Sequence, residues 1–399
     1  MDYIEKLLEK IRALGLYPRI RKVSSAARPL VTVDGREVLS FCSNNYLGLA
    51  TDPGVIAASI EGTKKYGTSC GGSRLISGNI ELQEELEAEL AGLKGVEAVI
   101  TFMTGYMANT GVIPMLMEGI DFPGLPSIKP ENSLIVSDQL NHASIIDACR
   151  LTKTPRAIYR HKDLADLEKI LGENQKKRKL IVTDGVFSMD GDIAPLPGIV
   201  ALAKKYQAMV MVDDAHATGT LGENGGGTIE HFNLRGQVDV VMGTCSKSLG
   251  GVGGFIAGSV ALVDFLRIRA RSYIFSSALP PGTAAGLIAA AKAIRSRPEL
   301  RRALWVNVDR MKAGLKRLGF DTLGSETQII PIAIGGEEKA IKMADRLFDQ
   351  GIFLPCVRWP AVPQGQSRLR CTVMATHTAE QIDRALEILG ETGRELGLR

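Results

Sequence analysis

Five side chains that can take part in catalysis follow short apolar runs of this sequence. They are Lys247, Asp213, His142, His216 and Ser188. The apolar runs are continuous rather than alternating, which predicts strands that helices cover on both faces. Parallel strands of this kind bring their carboxyl ends to one edge of the sheet, where ligands bind. We therefore expect an amine, a carboxylate, two imidazoles and a hydroxyl to meet in one site.

This set of groups matches the needs of an aldehyde cofactor with a pyridine ring. The lysine would form a Schiff base, the carboxylate would keep the ring nitrogen protonated, and polar groups would hold the ring hydroxyl. The segment Thr104-Gly105-Tyr106 opens a helix after another apolar run and offers backbone amides to a phosphate. Singly, each residue has a plainer interpretation, as a solvated lysine, a turn aspartate or serine, or a core histidine. Their joint order along the chain favours the cofactor site.

The elements that must position these groups form an α/β pattern. Between 98 and 258, short apolar runs alternate with helical stretches, which predicts a mostly parallel central sheet sandwiched by helices. Asp34-Gly35 predicts the turn of a hairpin. We expect an N-terminal arm or small-domain segment over 1–51, a large domain over 52–285 and a smaller α+β domain over 286–399. Further helices are predicted over 2–15, 52–66, 81–93, 298–318, 337–350 and 378–395.

Composition excludes several other classes of protein. The 399 residues carry 48 basic and 44 acidic side chains, so the net charge of +4 indicates no nucleic-acid surface. The six cysteines are scattered, and with the five histidines they form no metal-like grouping. Free thiols predict a reducing compartment, and no apolar run is long enough to cross a bilayer. We expect a cytoplasmic protein with no metal site and no integral membrane segment.

Several motifs, in order along almost the whole chain, resemble the α-oxoamine synthases, a branch of the fold-type I pyridoxal-phosphate enzymes. The motifs are Ser43-Asn44-Asn45-Tyr46-Leu47-Gly48-Leu49, Gly71-Gly72-Ser73-Arg74-Leu75-Ile76-Ser77-Gly78, Asn141-His142-Ala143-Ser144, Gly185-Val186-Phe187-Ser188-Met189-Asp190-Gly191-Asp192, Asp213-Asp214-Ala215-His216, Gly243-Thr244-x-x-Lys247 and Pro363-x-Gly365-x-x-Arg368-Leu369-Arg370. The resemblance implies the fold of those enzymes, with pyridoxal 5'-phosphate bound in the large domain.

The resemblance also implies a role for each site residue. Lys247 would hold the cofactor and shuttle the substrate's α-proton, Asp213 would pair with the ring nitrogen, and His142 would stack on the ring. The ring hydroxyl would meet His216 and Ser188. The phosphate would be lined by Thr104, Gly105, Tyr106 and Thr244, with Ser276 and Ser277 reaching in from a second subunit of a homodimer. The substrates would be bound by Arg370 at the amino-acid carboxylate, with Asn45, Arg358 and Arg21 as further candidates.

The reaction implied is a decarboxylative condensation of a small amino acid with an acyl thioester, carried on coenzyme A or an acyl carrier protein. Its product is an α-amino ketone. Arg358 before a proline-rich turn favours either the 8-amino-7-oxononanoate synthase reaction of alanine with a pimeloyl thioester or the serine palmitoyltransferase reaction. We take the first as the better interpretation. Glycine acetyltransferase and 5-aminolevulinate synthase activities fit less well.

Two features depart from the pattern of the family. Gln83 stands where a histidine is common, and the loop around 119–132 is longer than usual. That loop either narrows the acyl entrance or decorates the surface. An aminotransferase of the same fold type is the alternative from another reaction class. A binding protein that had lost catalysis would lack one of Lys247, Asp213 and His216, and all three are present.

Overall fold

A seven-stranded sheet forms the centre of the protein in a computed structural model that describes residues 1–17, 19–118 and 129–398. Its strands run β3 (Ala98–Phe102), β4 (Ser133–Asp138), β5 (Arg156–Tyr159), β6 (Arg178–Asp184), β7 (Ala208–Asp213), β8 (Val240–Thr244) and β9 (Gly254–Gly258), after the N-terminal hairpin of β1 (Leu30–Val33) and β2 (Arg36–Ser40). The spatial order is β3-β9-β8-β7-β6-β4-β5. Only β9 runs antiparallel to its neighbours among these strands. The predicted mostly parallel sheet is confirmed.

Helices cover both faces of this sheet. Along β6, Ile181 packs into one buried apolar cluster, whereas its neighbours Leu180 and Val182 pack into another. Successive strand residues point to opposite faces, so two separate cores on one strand mean that neither face meets water. The continuous apolarity of the strand sequences has this physical cause.

The helices are mostly those that the sequence predicts. They are α1 (Asp2–Ala13), α2 (Pro53–Tyr66), α3 (Glu81–Lys94), α4 (Gly105–Met117), α5 (Ala143–Arg150), α6 (Leu164–Glu173), α7 (Leu196–Tyr206), α8 (Thr228–His231), α9 (Val260–Arg269), α10 (Arg271–Ile274), α11 (Pro281–Ser296), α12 (Pro298–Arg317), α13 (Glu337–Asp349) and α14 (Ala379–Glu395). Single 3-10 turns lie at Leu49–Thr51 and Pro130–Asn132. Local signals set several boundaries. Asp52 caps α2 ahead of a proline, and Thr378 and Gln381 form a capping box on α14.

Two small sheets lie outside the central one. One contains β10 (Ile329–Gly335), β12 (Cys356–Val357) and β13 (Ser367–Thr372), in the order β10-β13-β12. In the other, β11 (Ile352–Phe353) pairs in parallel with β2, and β2 pairs with β1 across the Asp34-Gly35 turn. The N-terminal arm is therefore joined by main-chain hydrogen bonds to the C-terminal segment. The predicted loop at 119–132 lies outside the described residues over 119–128.

Candidate active site

Lys247 lies in a closed loop after β8. Within that loop the Cys245 amide donates to the Gly253 carbonyl at 2.9 Å, and the Gly250 amide donates to the Lys247 carbonyl at 2.9 Å. Gly250 has a φ of +69°, and a Cβ there would lie 2.3 Å from the Ala50 amide nitrogen. Only glycine allows this approach. The lysine is thus held on a rigid turn at the carboxyl edge of the sheet.

The Lys247 ammonium has no hydrogen-bond or ion-pair partner among the described residues, although its side chain is half-buried. Its pKa is lowered to about 8, chiefly by burial and in addition by the charge of Arg370. The carboxylates of Asp213 and Asp184 oppose this shift and raise the pKa. A lysine in this state loses its proton close to neutral pH and becomes a nucleophile.

Asp213 ends β7 next to Asp184, which ends β6, because the two residues are paired in register. One carboxylate oxygen of Asp213 accepts from the Ala215 amide at 3.0 Å, and the other accepts from the Asn109 side-chain nitrogen at 2.8 Å. Asp213 is buried. Burial and the neighbouring Asp213 charge raise the pKa of Asp184 well above its usual range.

His142 lies at the N-terminus of α5, and its side chain faces back to the helix. Its Nδ1 lies 2.7 Å from the Ser144 hydroxyl and accepts from the Ser144 amide at 3.2 Å. Its own amide donates to the Asp184 carboxylate at 2.9 Å. Burial lowers the pKa of His142. The charge of Asp213 raises this pKa and the charge of Lys247 lowers it, so both groups lie close enough to act on His142.

His216 is bound by Tyr46, 170 residues away in the sequence. The tyrosine hydroxyl lies 2.8 Å from His216 Nδ1 and donates to the Asn44 side-chain oxygen at 3.0 Å. The hydroxyl therefore accepts from an Nδ1–H, which leaves His216 Nε2 free to accept. Burial, with the charges of Lys247 and Arg370, lowers the pKa of His216 well below its usual range.

Arg370 lies on β13 and connects the small sheet β10-β13-β12 to the site. Its Nε donates to the Ser188 carbonyl at 2.6 Å, and its Nη1 donates to Asn44 at 3.3 Å. Arg368 on the same strand binds Asp190 at 2.6 Å. The loop that follows β6 is thereby fixed to the strand that carries Arg370.

The start of α4 forms the other end of the site. Thr104 caps the helix by accepting from the Met107 amide, and a Cβ on Gly105 would lie 2.7 Å from Met242 and 3.3 Å from Thr244. The helix terminus therefore approaches β8 closely. The first backbone amides of such a helix can bind an anion, whereas the Thr244 hydroxyl donates to the Gly253 carbonyl at 3.0 Å. Tyr106 is exposed instead and binds Asp147.

The structure does not bring three of the predicted substrate residues into contact with this site. Arg21 pairs with Asp34 at 3.0 Å and stacks on Phe348. Arg358 donates to the Gly15 carbonyl at 2.8 Å. The side-chain nitrogen of Asn45 donates to the Ala27 carbonyl, and its side-chain oxygen accepts from the Ala50 backbone amide. The adjacent Asn44 contacts Arg370, at 3.3 Å.

The sequence prediction missed Asn109, Tyr46, Asp184 and Ser144 as site residues. Asn109 is fully buried and donates to both Asp213 and Ser144. Nothing in the local sequence indicated this role, because the contact of Asn109 with Asp213 joins positions 104 residues apart.

Ser276 and Ser277 lie in the segment between α10 and α11. Ser277 pairs with Ser73, and the Ala278 amide donates to the Gly72 carbonyl. Gln83 is buried below them and donates to the Leu279 carbonyl at 2.7 Å. Phe275 and Ile76, both exposed, flank the two serines. The segment thus presents hydroxyls in an apolar surface.

Other kinds of site are not found in the described parts of the chain. No cluster of three or more metal-ligating side chains occurs there. None of the helices within 1–17, 19–118 and 129–398 combines the length and apolarity needed to cross a membrane. All six cysteines are free.

Comparison with known proteins gives a consistent result. The family model "aminotransferase class I and II" matches residues 36–389. The chain is 45% identical to an 8-amino-7-oxononanoate synthase of Thermoanaerobacter pseudethanolicus, covering 100% of this chain and 98% of that protein. It is 46% identical to the enzyme of that name from Geobacter sulfurreducens, with 98% of each chain covered.

Solved structures extend the comparison to three dimensions. A serine palmitoyltransferase variant of S. paucimobilis, solved with a bound PLP–myriocin aldimine, has a TM-score of 0.92 at 35% identity and covers 100% of this chain and 98% of its own. An 8-amino-7-oxononanoate synthase of Francisella tularensis has a TM-score of 0.75 at 27% identity, covering 90% of this chain and 98% of its own.

Proposed function

The chain belongs to the aminotransferase class I and II family, and on that basis we propose that it is a pyridoxal 5'-phosphate-dependent acyltransferase of the α-oxoamine synthase type. One observation carries the proposal: Lys247, half-buried and without a hydrogen-bond partner in the part of the chain that the structure describes, lies near the charges of Asp213 and Asp184 at the carboxyl edge of the sheet. The preferred reaction is that of L-alanine with a pimeloyl thioester, which yields 8-amino-7-oxononanoate, the thiol carrier and carbon dioxide. Relatives of that name match the full chain at 44–46% identity.

The residues of the site fit pyridoxal 5'-phosphate. Lys247 offers an unpaired amine, Asp213 offers carboxylate lone pairs, and the start of α4 beside Thr244 offers donors to a phosphate. When bound, the cofactor supplies an aldehyde that takes up amines and a ring that accepts the electrons of a deprotonated α-carbon. His216 Nε2 would accept from the ring hydroxyl, and Ser188 would lie nearby. His142 would cover one face of the ring.

The remaining groups act on the substrates. Lys247 Nζ would take the α-proton of the amino acid, since its pKa of about 8 lets it hold or release a proton near neutral pH. Arg370 would bind the amino-acid carboxylate, because its guanidinium already lies beside Asn44 and Ser188 at this edge. Arg21 and Arg358 are committed to contacts elsewhere, so we assign the acyl chain to neither.

We propose a homodimer in which each site is completed by Ser276 and Ser277 of the other subunit. Two exposed apolar side chains next to these serines, Phe275 and Ile76, support it, because large apolar groups on a surface mark an interface. The free cysteines support a cytoplasmic location. The carrier of the acyl group would be coenzyme A or an acyl carrier protein.

A thiol-release assay tests the reaction. Glycine, alanine and serine are crossed with acetyl, succinyl, pimeloyl and palmitoyl thioesters, and Lys247→Ala serves as the inactive control. Alanine with the pimeloyl thioester should be the fastest pair. Serine with the palmitoyl thioester as the best pair would replace this assignment by serine palmitoyltransferase activity, which the structural similarity at 35% identity makes the second candidate. Conversion of the cofactor to its amine form by alanine alone would indicate an aminotransferase.

A further inference from the structure

Asn109 of α4 connects two site residues that lie on different strands and loops. Its side-chain nitrogen donates to the Asp213 carboxylate at 2.8 Å and to the Ser144 hydroxyl oxygen at 2.9 Å. The Ser144 oxygen lies 2.7 Å from His142 Nδ1. A continuous chain of hydrogen bonds thus runs from Asp213 through Asn109 and Ser144 to His142.

The direction of each bond in this chain is determined. The Asp213 carboxylate only accepts, so the amide nitrogen of Asn109 must face it. Ser144 accepts from that nitrogen and keeps its own proton to donate to His142 Nδ1. The Ser144 backbone amide also donates to Nδ1, at 3.2 Å. An Nδ1 that accepts twice carries no proton, so His142 is neutral and holds its proton on Nε2.

The Asn109 carbonyl oxygen is a second, independent observation. It is buried and has no hydrogen-bond partner in the described structure. A buried oxygen without a partner destabilises the folded protein, and such atoms in native structures usually have a reason outside stability. Leucine would fill a similar space without that cost. The amide is therefore present for the two bonds that it donates.

We propose that Asn109 is a positioning residue that orients the Asp213 carboxylate toward the cofactor ring nitrogen and, through Ser144, holds His142 in its Nε2–H form. The inference rests on the proposed function, because it needs a cofactor between Asp213 and His142. In this proposal one side chain, Asn109, sets the positions of both Asp213 at the edge of the ring and His142 on its face.

Cofactor affinity is the first test. The dissociation constant of pyridoxal 5'-phosphate from the apoenzyme is measured by fluorescence for the wild type, Asn109→Ala and the isosteric Asn109→Asp. Loss of one bond to a charged group should raise the constant roughly 10- to 100-fold in Asn109→Ala. Asn109→Asp should weaken binding further, because it sets a second carboxylate against Asp213.

Asn307→Ala is the matched control, since Asn307 is also a buried asparagine that donates twice, to the Met374 and His377 carbonyls at 2.9 Å. It should lower the melting temperature and leave the dissociation constant unchanged. An Asn109→Ala variant that binds the cofactor as tightly as the wild type would overturn the inference. A wild type that does not bind the cofactor would instead overturn the proposed function.

The second test follows His142 itself. Nitrogen NMR of histidine-labelled apoenzyme should show an unprotonated Nδ1 for His142 in the wild type, and a mixture of forms in Ser144→Ala. The effects of Asn109→Ala and Ser144→Ala on the dissociation constant should be non-additive, as expected for one network. Additive effects, or a protonated Nδ1 in the wild type, would refute the connection through Ser144.

Discussion

At the scale of single residues, the state of Lys247 decides how the site works. Its amine lies where burial favours the neutral form and two carboxylates favour the charged form. The balance lowers its pKa to about 8, from the value of 10.5 at which an ordinary lysine titrates. The sequence showed which lysine to choose, but this balance depends on groups from three other strands and loops.

This balance predicts the pH dependence of cofactor uptake. The Lys247 pKa is lowered to about 8, so the reactive neutral amine is scarce below that pH and predominant above it. The rate of pyridoxal 5'-phosphate addition to the apoenzyme, followed by stopped-flow absorbance, should rise with pH with a midpoint near 8.

Substitution of Asp184 tests whether neighbouring charges set that midpoint. Asp184 raises the pKa of Lys247, so Asp184→Asn should move the midpoint to lower pH. Asp383→Asn on the surface should leave it in place. A midpoint near the ordinary lysine value in the wild type would contradict the described surroundings of Lys247.

At the scale of elements, the loop 185–193 connects the central sheet to the small sheet that contains β13. On one side His161 lies between Asp138 of β4, at 3.0 Å, and Asp192 of the loop, at 2.9 Å. On the other side, Arg368 of β13 binds Asp190. Both anchors lie within four residues after Ser188, whose carbonyl also accepts from Arg370 at 2.6 Å, so they restrain the position of Ser188.

The His161 anchor should make stability fall at alkaline pH. Hydrogen bonds to Asp138 and Asp192 outweigh burial and raise the pKa of His161 to about 9. A raised pKa means that the stabilisation is complete below the unfolded value of about 6.5 and is lost as pH rises through 9. The loss of unfolding free energy should be on the order of 1–3 kcal/mol.

The measurement compares chemical unfolding at pH 7 and pH 10. Wild type should lose more stability over this interval than His161→Gln, which carries no proton to lose. His231→Gln, at an exposed histidine without a carboxylate partner in the described structure, should behave as the wild type. Equal losses in wild type and His161→Gln would show that the two ion pairs contribute nothing.

At the scale of the whole molecule, the proposed dimer predicts that two inactive variants complement each other when their subunits pair. If Ser276 and Ser277 complete the partner's site, Lys247→Ala and the double variant Ser276→Ala, Ser277→Ala damage sites in different ways. A heterodimer of the two would hold one intact site and one site with both defects.

Mixing these two variants after reversible dissociation should restore activity. Random pairing gives about one quarter of wild-type activity, because half of the dimers are mixed and each has one intact site. The thiol-release assay before and after mixing measures it, and Lys247→Ala mixed with itself is the control. No recovery, with mixed dimers shown by mass spectrometry, would mean that each site is built within one subunit.

The sequence alone was sufficient for the fold, whereas the roles of the reactive groups stay predictions. Buried parallel strands need continuous apolar runs, so β3 to β9 were visible in the sequence, and Lys247, Asp213 and His142 follow such runs. The two-residue strands β11 and β12 are too short to leave a pattern. Helices α8 and α10, of four residues each, were not predicted for the same reason.

Only the tertiary structure decided how the reactive groups are held. Asn109 meets Asp213 across 104 positions of sequence, and Tyr46 meets His216 across 170. Such pairs depend on how helices and loops pack on the sheet, and no local periodicity records them. The same is true of Arg21, which looked free to bind a substrate and is bound by Asp34 in the folded chain. Local sequence determines which strand end a group follows, whereas long-range packing determines what that group can reach.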